Sequence, residues 1–193
     1  LTTHQARDED PAWFPDGRSL AFHSGRESNQ EIFRIALDGN GEAIPVTRTI
    51  GRNILPALSP DGRQMAYTGN RYMGWNVYVR DLTTNNDERL TDGHGACRPD
   101  WSPDGQQIAY VSQKADGKGD IWLMKPDGSM KTRATFDDKH YDYYPAWSPD
   151  GRYLSYAKTP DKETGNWEIY IMTADGQHHQ QVTRHPARDK FPD

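Results

Sequence analysis

Large apolar residues alternate with small or polar residues in four short segments, and each segment follows a Pro-Asp-Gly triplet. A period of two is typical of a strand, because successive side chains point to opposite faces of a sheet. A second apolar run follows each segment, and its β-branched and aromatic residues predict a strand packed on both faces. The alternating segments are residues 19–22, 64–67, 107–110 and 153–156, and the second runs are 31–35, 77–80, 121–124 and 168–172.

Turn residues and a short final strand complete each unit. Asp-Gly pairs at 38–39, 127–128 and 175–176 supply the positive φ of a tight hairpin, and residues 83–85 take that place in the second unit. A last strand is expected to end at a threonine in every unit. If the segment before each Pro-Asp-Gly is counted as the first strand, every unit holds four short strands. The threonines are Thr47, Thr91, Thr135 and Thr183.

The units repeat along the whole chain. A proline begins each one, and these leading prolines lie 45, 43, 46 and 47 residues apart at positions 11, 56, 99, 145 and 192. Four-stranded units of this period, stacked around an axis, predict a β-propeller. We therefore expect an all-β chain of 193 residues forming a single propeller domain, with four blades at roughly 11–48, 56–91, 99–135 and 145–184.

The repeated motif resembles a known family. Residues 147–151 and 101–105 read Trp-Ser-Pro-Asp-Gly, while Leu58 replaces the tryptophan in the second repeat and Phe14 the serine in the first. These units resemble the WD-like repeats of the TolB-like propellers, and similar units occur in the propellers of tricorn-type and prolyl-oligopeptidase-type peptidases. The resemblance implies a propeller that binds a protein or peptide, and a periplasmic or secreted bacterial location rather than a cytoplasmic one.

The two ends of the chain overlap in sequence. Residues 1–12 align without a gap on residues 182–193, and six of the positions are identical. We therefore expect part of a larger propeller with six or seven blades. A closed four-bladed ring, or the pairing of two chains into an eight-bladed ring, is the alternative, and an incomplete ring would favour self-association.

One face of the disc is expected to carry the binding residues. The Pro-Asp-Gly and Asp-Gly turns share one face, and the longer, more varied loops share the other, where binding residues usually lie on a rigid scaffold. The residues just before each leading proline are expected in loops nearest the axis, where arginines, carboxylates and tyrosines can grip a peptide. The alternative is a solvated rim of self-paired arginines and aspartates. The candidate binding residues are Arg7, Asp8, Arg52, Arg98, Tyr141, Asp142, Tyr143 and Arg188.

Catalytic and metal-binding patterns are sparse. The repeated aspartates lie beside turn glycines, where the side chain accepts backbone N–H bonds, so we expect a structural use. Four histidines fall in loops of one face without a recognisable metal spacing, and Cys97 has no identifiable partner base. We expect no catalytic residue, metal or cofactor. The aspartates are Asp16, Asp61, Asp104 and Asp150, and the histidines are His4, His94, His140 and His185.

Charge and composition narrow the class of partner. The net charge is −5 with acidic and basic residues interleaved, which gives no polybasic surface for nucleic acid. No run approaches the length of a membrane span. Two functions therefore remain: a non-catalytic protein- or peptide-binding propeller, or the propeller of an enzyme, either a prolyl-oligopeptidase-like or tricorn-like peptidase or a metal-dependent polysaccharide lyase.

Overall fold

The computed structural model describes residues 2–38, 41–72 and 74–192, and it consists of four antiparallel four-stranded sheets. Every sheet is a meander of consecutive strands, as the sequence predicts. Gly39, of the first predicted Asp-Gly turn, lies outside the described residues. The strands are β1 Asp8–Trp13, β2 Ser19–Ser24, β3 Glu31–Ala36, β4 Ala43–Pro45, β5 Asn53–Leu58, β6 Gln64–Gly69, β7 Asn76–Asp81, β8 Asp87–Arg89, β9 Cys97–Trp101, β10 Ile108–Ser112, β11 Asp120–Met124, β12 Thr132–Arg133, β13 Tyr141–Trp147, β14 Tyr153–Thr159, β15 Glu168–Thr173 and β16 His179–Gln181.

The first strands of the four sheets lie side by side around a common axis. β1 packs on β5, β5 on β9 and β9 on β13. Each sheet is thus a blade whose strands run outward from the axis, and the prediction of an all-β propeller with four four-stranded blades is confirmed.

Apolar side chains fill the spaces between neighbouring blades. The second residue of the third strand is Ile32, Val77 or Ile121 in the first three blades, and all three side chains are fully buried. Ile169 occupies that position in the fourth blade and is only partly buried, while Val182 on the same blade is 55% exposed. The outer face of the fourth blade therefore lacks the cover that a following blade gives to the others, as expected for a partial propeller.

A threonine joins the third and fourth strands within every blade. The hydroxyl oxygen of Thr47 accepts a hydrogen bond of 2.9 Å from the N–H of Ile32. Thr91, Thr135 and Thr183 accept the equivalent bonds at 2.9, 3.0 and 2.9 Å. These backbone N–H groups lie at the edge of the ladder, beyond the end of the short last strand. The threonine hydroxyl therefore accepts the hydrogen bond that the strand does not provide.

The repeated aspartates are turn residues, as predicted. Asp61 accepts bonds from the Ser59 hydroxyl at 2.6 Å and from the Arg63 N–H at 3.0 Å, and the adjacent Gly62 has a φ of 69°. Asp16, Asp104 and Asp150 accept the same backbone bond. Where Phe14 replaces the serine, its buried ring lies 4.1 Å from the Arg34 guanidinium.

None of the described residues forms a helix of the length and apolarity that crossing a membrane requires.

Candidate ligand-binding site at the channel mouth

Two sets of loops meet at one end of the disc. β1 begins opposite the end of β2, and β2 ends opposite the start of β3, because Asp8 pairs with Ser24 and Ser24 with Glu31. The loops between the second and third strands, and those between blades, therefore share one face. We call it the loop-rich face.

The residues before each leading proline differ from the prediction. The sequence predicts loops there, but the last two to four residues before the first four leading prolines belong to the first strands of the blades, while residues 188–191 lie outside the strands. Tyr141, for example, pairs with Thr159, and Asp142 with Lys158. The loop assignment was wrong because polar residues and a proline are not typical of a strand. The pairing with the second strand nevertheless continues on both sides of a bulge. The register shifts between Tyr143 and Ala146, and equivalent shifts occur in the other three blades.

The bulge turns one side chain of every repeat toward the axis. The residue directly before each leading proline has a positive φ, between 49° and 61°, which is uncommon for a residue other than glycine. A β-bulge re-aims the side chains beside it. All five side chains line one central cavity. They are Asp10, Leu55, Arg98, Tyr144 and Phe191.

This cavity, which we call the channel, has a volume of about 680 Å³. Its wall is formed by the first strands of all four blades, from the bulge to the position of the repeated tryptophan, together with Phe191 and Pro192. Asp100 lies in the wall and accepts a hydrogen bond of 2.8 Å from the N–H of Trp147 in the next blade. Pockets for ligands commonly fall in the range of about 300–1,000 Å³. The channel can therefore hold a short segment of peptide.

The predicted binding residues differ in how exposed their side chains are. Arg7, Arg52 and Arg188 are exposed on the loop-rich face, and Arg188 donates a hydrogen bond to the carbonyl oxygen of Glu163. Asp8 is largely neutralised, since Arg26 donates bonds of 2.8 and 2.9 Å to its two carboxylate oxygens. This part of the rim matches the self-paired alternative.

The tyrosines at the start of β13 lie beside lysines. Lys162 donates a hydrogen bond of 2.5 Å to the Tyr143 hydroxyl, and its Nζ lies 4.7 Å from the centre of the Tyr141 ring. Lys118 lies 5.3 Å from the same Tyr141 ring. Arg98, the remaining predicted residue of this side, has its guanidinium 4.2 Å from the Tyr144 ring centre. The structure thus brings Arg98, Tyr141 and Tyr143 to one side of the mouth.

Asp142 does not reach that surface. Its side chain is fully buried between the third and fourth blades, where the Thr135 hydroxyl is a nearby hydrogen-bond donor. Burial raises the pKa of Asp142 to about 6, although the Lys158 ammonium at 3.8 Å acts in the opposite direction. Asp120, also fully buried, has its pKa raised to about 6 by burial against the lowering effect of Arg133.

The sequence reasoning missed an aromatic cluster at the mouth. The Tyr144 ring lies 4.6 Å from Phe191 and 5.7 Å from Trp167, and Trp167 also contacts Tyr143 at 6.2 Å. Lys190 lies 4.4 Å from the Trp167 ring. The signal was the placement of aromatic and basic residues in both sets of loops on one face, but sequence alone does not bring those loops together.

Cys97, which is partly buried, lies where the thiolate is disfavoured. Burial raises the pKa of its thiol to about 11, despite the nearby charges of Arg98 and Lys162. No group of three or more His, Cys, Asp or Glu side chains within residues 2–38, 41–72 and 74–192 is arranged to hold a metal ion. Of the loop histidines, His140 is bonded to Asp137 at 2.6 Å, and His4, His94 and His185 are exposed.

Sequence comparison identifies similar proteins. The family described as the TolB beta propeller domain matches residues 1–134 and 40–163. A TolB homolog of Chlorobaculum tepidum is 31% identical over 120 residues, which cover 62% of this chain and 27% of the relative. The Tol-Pal system protein TolB of Desulfosudis oleivorans is 30% identical over 116 residues, which cover 60% and 26%. The aligned part thus spans about a quarter of each relative.

Solved structures show the same architecture. A putative TolB of Agrobacterium tumefaciens has a TM-score of 0.84 and 27% identity, covering 94% of this chain and 67% of that one. TolB of Acinetobacter baumannii has a TM-score of 0.82 and 22% identity, covering 97% and 46%. A prolyl endopeptidase, with a TM-score of 0.66 and 13% identity over 93% and 30%, shares the fold alone.

Proposed function

Because this chain belongs to the TolB beta propeller domain family, we propose that it is a non-catalytic binding module that holds a protein or peptide partner at the mouth of its channel. A fold alone does not specify a function, so the proposal rests on the site. One observation carries it: a cluster of aromatic side chains and the exposed Arg7, Arg52 and Arg188 lie at the loop-rich face, beside a cavity of about 680 Å³.

The residues proposed to contact the partner are those that reach the surface. Arg7, Arg52 and Arg188 are exposed, and Arg98, Tyr141 and Tyr143 stand beside the channel with part of their side chains accessible. Arginine and tyrosine are common anchors in protein interfaces, because each combines a large contact area with directional hydrogen bonds. Asp8 and Asp142 are proposed to support the binding surface without contacting the partner. Asp8 does so through its ion pair with Arg26, and Asp142 from its buried position between two blades.

The same family supports proposals about location and assembly. One relative is named a Tol-Pal system protein, and the family resemblance favours a periplasmic or secreted location. The partly buried outer face of the fourth blade supports the proposal that further blades, or a second copy of the chain, cover it in the assembled protein. A total of six or seven blades remains our proposal.

A second candidate is the propeller of an enzyme whose catalytic groups lie in another domain or on a channel metal. Its support is a likeness of fold to a prolyl endopeptidase and to an oligogalacturonate lyase in complex with manganese, the latter with a TM-score of 0.50 and 17% identity. The distinguishing observation is whether activity on a peptide or on oligogalacturonate accompanies binding at the mouth.

The test is a selection of peptides that bind the chain, followed by affinity measurements on charge-reversed variants. We expect the double variant Arg52→Glu and Arg188→Glu to bind the selected peptides about tenfold or more weakly, because each reversal replaces an attraction by a repulsion. The matched control reverses Arg18 and Arg63, which are exposed on the opposite, turn-bearing face. Equal losses in both double variants, or a loss only in the control, would refute the proposed face.

A further inference from the structure

Two basic side chains at the mouth have no acidic partner in the part of the chain that the structure describes. Within residues 2–38, 41–72 and 74–192, neither the Arg98 guanidinium nor the Lys190 ammonium forms an ion pair or a hydrogen bond to a carboxylate. Both lie instead against aromatic rings. The other partly buried arginines are paired with carboxylates, whereas Lys118 and Lys162 at the same mouth also lie against a tyrosine ring. Arg26 binds Asp8, Arg34 lies 3.8 Å from Asp16, Arg71 and Arg80 bind Asp87, and Arg133 binds Asp116 and Asp120.

The two cations share one aromatic ring. Arg98 lies 4.2 Å from the centre of the Tyr144 ring and Lys190 lies 5.9 Å from it, while Lys190 is also 4.4 Å from Trp167. Partial burial lowers the pKa of Lys190, and the positive charges of Arg188 and Arg98 lower it further. The positive charges around Lys190 favour the approach of an anion to this side of the mouth.

The backbone holds Arg98 in place. Its N–H donates a hydrogen bond of 3.0 Å to the Thr68 hydroxyl of the preceding blade, and its φ of 55° is fixed by the bulge before Pro99. The side chain lines the channel beside Tyr144 and Phe191, and the Phe191 ring is 65% exposed. A guanidinium held in this way can offer two parallel N–H donors to one carboxylate.

We propose that Arg98 and Lys190, set against Tyr144, form a subsite for a carboxylate of a bound peptide. This inference rests on the proposed function, because it assigns the chemistry of the group that the mouth receives. The exposed Phe191 ring adds an apolar wall beside the carboxylate. The carboxylate comes from an acidic side chain or from the C-terminus of the peptide, and the two sources are separable by experiment.

The test uses three peptides and calorimetry. The probes are hexaglutamate blocked at both ends, hexaglutamine blocked at both ends, and hexaglutamine with a free C-terminal carboxylate. We expect at least one carboxylate-bearing peptide to bind about tenfold more tightly than the blocked neutral peptide, since charge-assisted hydrogen bonds are the stronger class. Preference for the first or the third peptide identifies the source. Equal affinity for all three would overturn the proposal.

Variants locate the subsite. We expect Arg98→Gln with Lys190→Gln to abolish the preference for carboxylate, while Lys114→Gln, which removes a lysine paired with Asp92 on the same face, leaves it intact. Circular dichroism verifies that the variants are folded. NMR titration of the Lys190 side chain provides a second readout: Arg98→Gln alone and hexaglutamate binding should each raise the pKa of Lys190. An unchanged pKa in both experiments would contradict the proposal.

The two proposals can fail separately. If the double variant of Arg98 and Lys190 keeps the carboxylate preference while the reversal of Arg52 and Arg188 weakens selected peptides, the subsite is wrong and the binding face stands. If the carboxylate preference depends on Arg98 and Lys190 while selected peptides tolerate reversal of Arg52 and Arg188, the subsite stands and the wider face is wrong.

Discussion

Asn53 donates a hydrogen bond of 2.7 Å from its side-chain amide to the carboxylate of Glu31, across the boundary between the first and second blades. Both side chains are buried, with exposures of 0% and 3%. Asp142 and Asp120 occupy the equivalent positions between the third and fourth blades, because each stands at the same place in its repeat. The boundary between the first and second blades thus has an amide and a carboxylate, whereas the boundary between the third and fourth blades has two carboxylates.

Replacing Asp142 by asparagine should stabilise the protein at neutral pH. The pKa of Asp142 is raised by burial from 3.8 to about 6, so the folded state binds the proton more tightly than the unfolded state does. The stability that this group contributes is fully present below pH 4 and is lost as the pH rises through 6. We expect Asp142→Asn to raise the free energy of unfolding by about 2 kcal/mol at pH 7.5 and by little at pH 4, measured by urea titration.

Asp137 provides a control of opposite sign. Burial opposes ionisation there as well, but Lys158 at 2.9 Å, the Lys139 N–H and His140 together lower the pKa of Asp137 well below its ordinary value. Its contribution is therefore present above pH 4 and is lost as the pH falls. Asp137→Asn should destabilise at pH 7.5, with the effect shrinking in acid. The interpretation would be contradicted if Asp142→Asn were equally destabilising at both pH values.

Asp87 should contribute strongly to the free energy of unfolding. Its carboxylate accepts bonds from the Tyr67 hydroxyl at 2.9 Å, from Arg71 at 3.1 Å and from Arg80 at 2.9 Å. Both guanidinium groups are mostly buried, so removing the charge leaves them uncompensated. We expect Asp87→Asn to lower the free energy of unfolding by about 3 kcal/mol, measured by urea titration.

Asp92 is the matched control for this ion pair. It is bonded to Lys114 at 3.0 Å, but both side chains are about half exposed, so solvent already screens their attraction. Asp92→Asn should cost less than about 1 kcal/mol. Similar losses for the two variants would show that burial does not set the strength of these pairs.

The uncovered side of the fourth blade can be measured by a pair of truncations. Ile121 is fully buried between blades, whereas Ile169 holds the same position on the outer face and is only partly buried. In this chain alone we expect Ile121→Ala to cost about 3 kcal/mol and Ile169→Ala about 1 kcal/mol, because less apolar contact is removed. Equal costs, together with a dimer in analytical ultracentrifugation that Ile169→Ala dissociates, would mean that a second chain already covers the face.

Much of the fold could be predicted from sequence because each blade repeats its local signals. The alternation around Tyr67, the turn at Asp61 and Gly62, and the closing Thr91 each describe one unit, and agreement among such signals specifies a structure. The start of the first strand was missed at Asp8 and Tyr141, since the ladder there continues through a bulge that depends on contacts with the second strand.

The site was harder to predict because its chemistry depends on which side chains meet. Arg7, Arg52 and Arg188 are exposed on the loop-rich face, and their part in binding stays a prediction. Asp142 was expected beside them, yet it points between blades, because period-two alternation sends neighbouring residues to opposite sides. The contact of Lys190 with Trp167 joins two different loops, and nothing local encodes it.

Cys97 should react slowly with thiol reagents in the folded protein. Burial raises the pKa of its thiol from 9.0 to about 11, so at pH 8 only about one thiol in a thousand is ionised, against about one in ten unperturbed. We expect alkylation by iodoacetamide at pH 8 to be at least about a hundredfold slower in the native protein than in guanidinium chloride. The native rate should keep rising up to the pH at which the chain unfolds. A native rate that levels off near pH 9 would mean that the thiol is not held in an apolar environment.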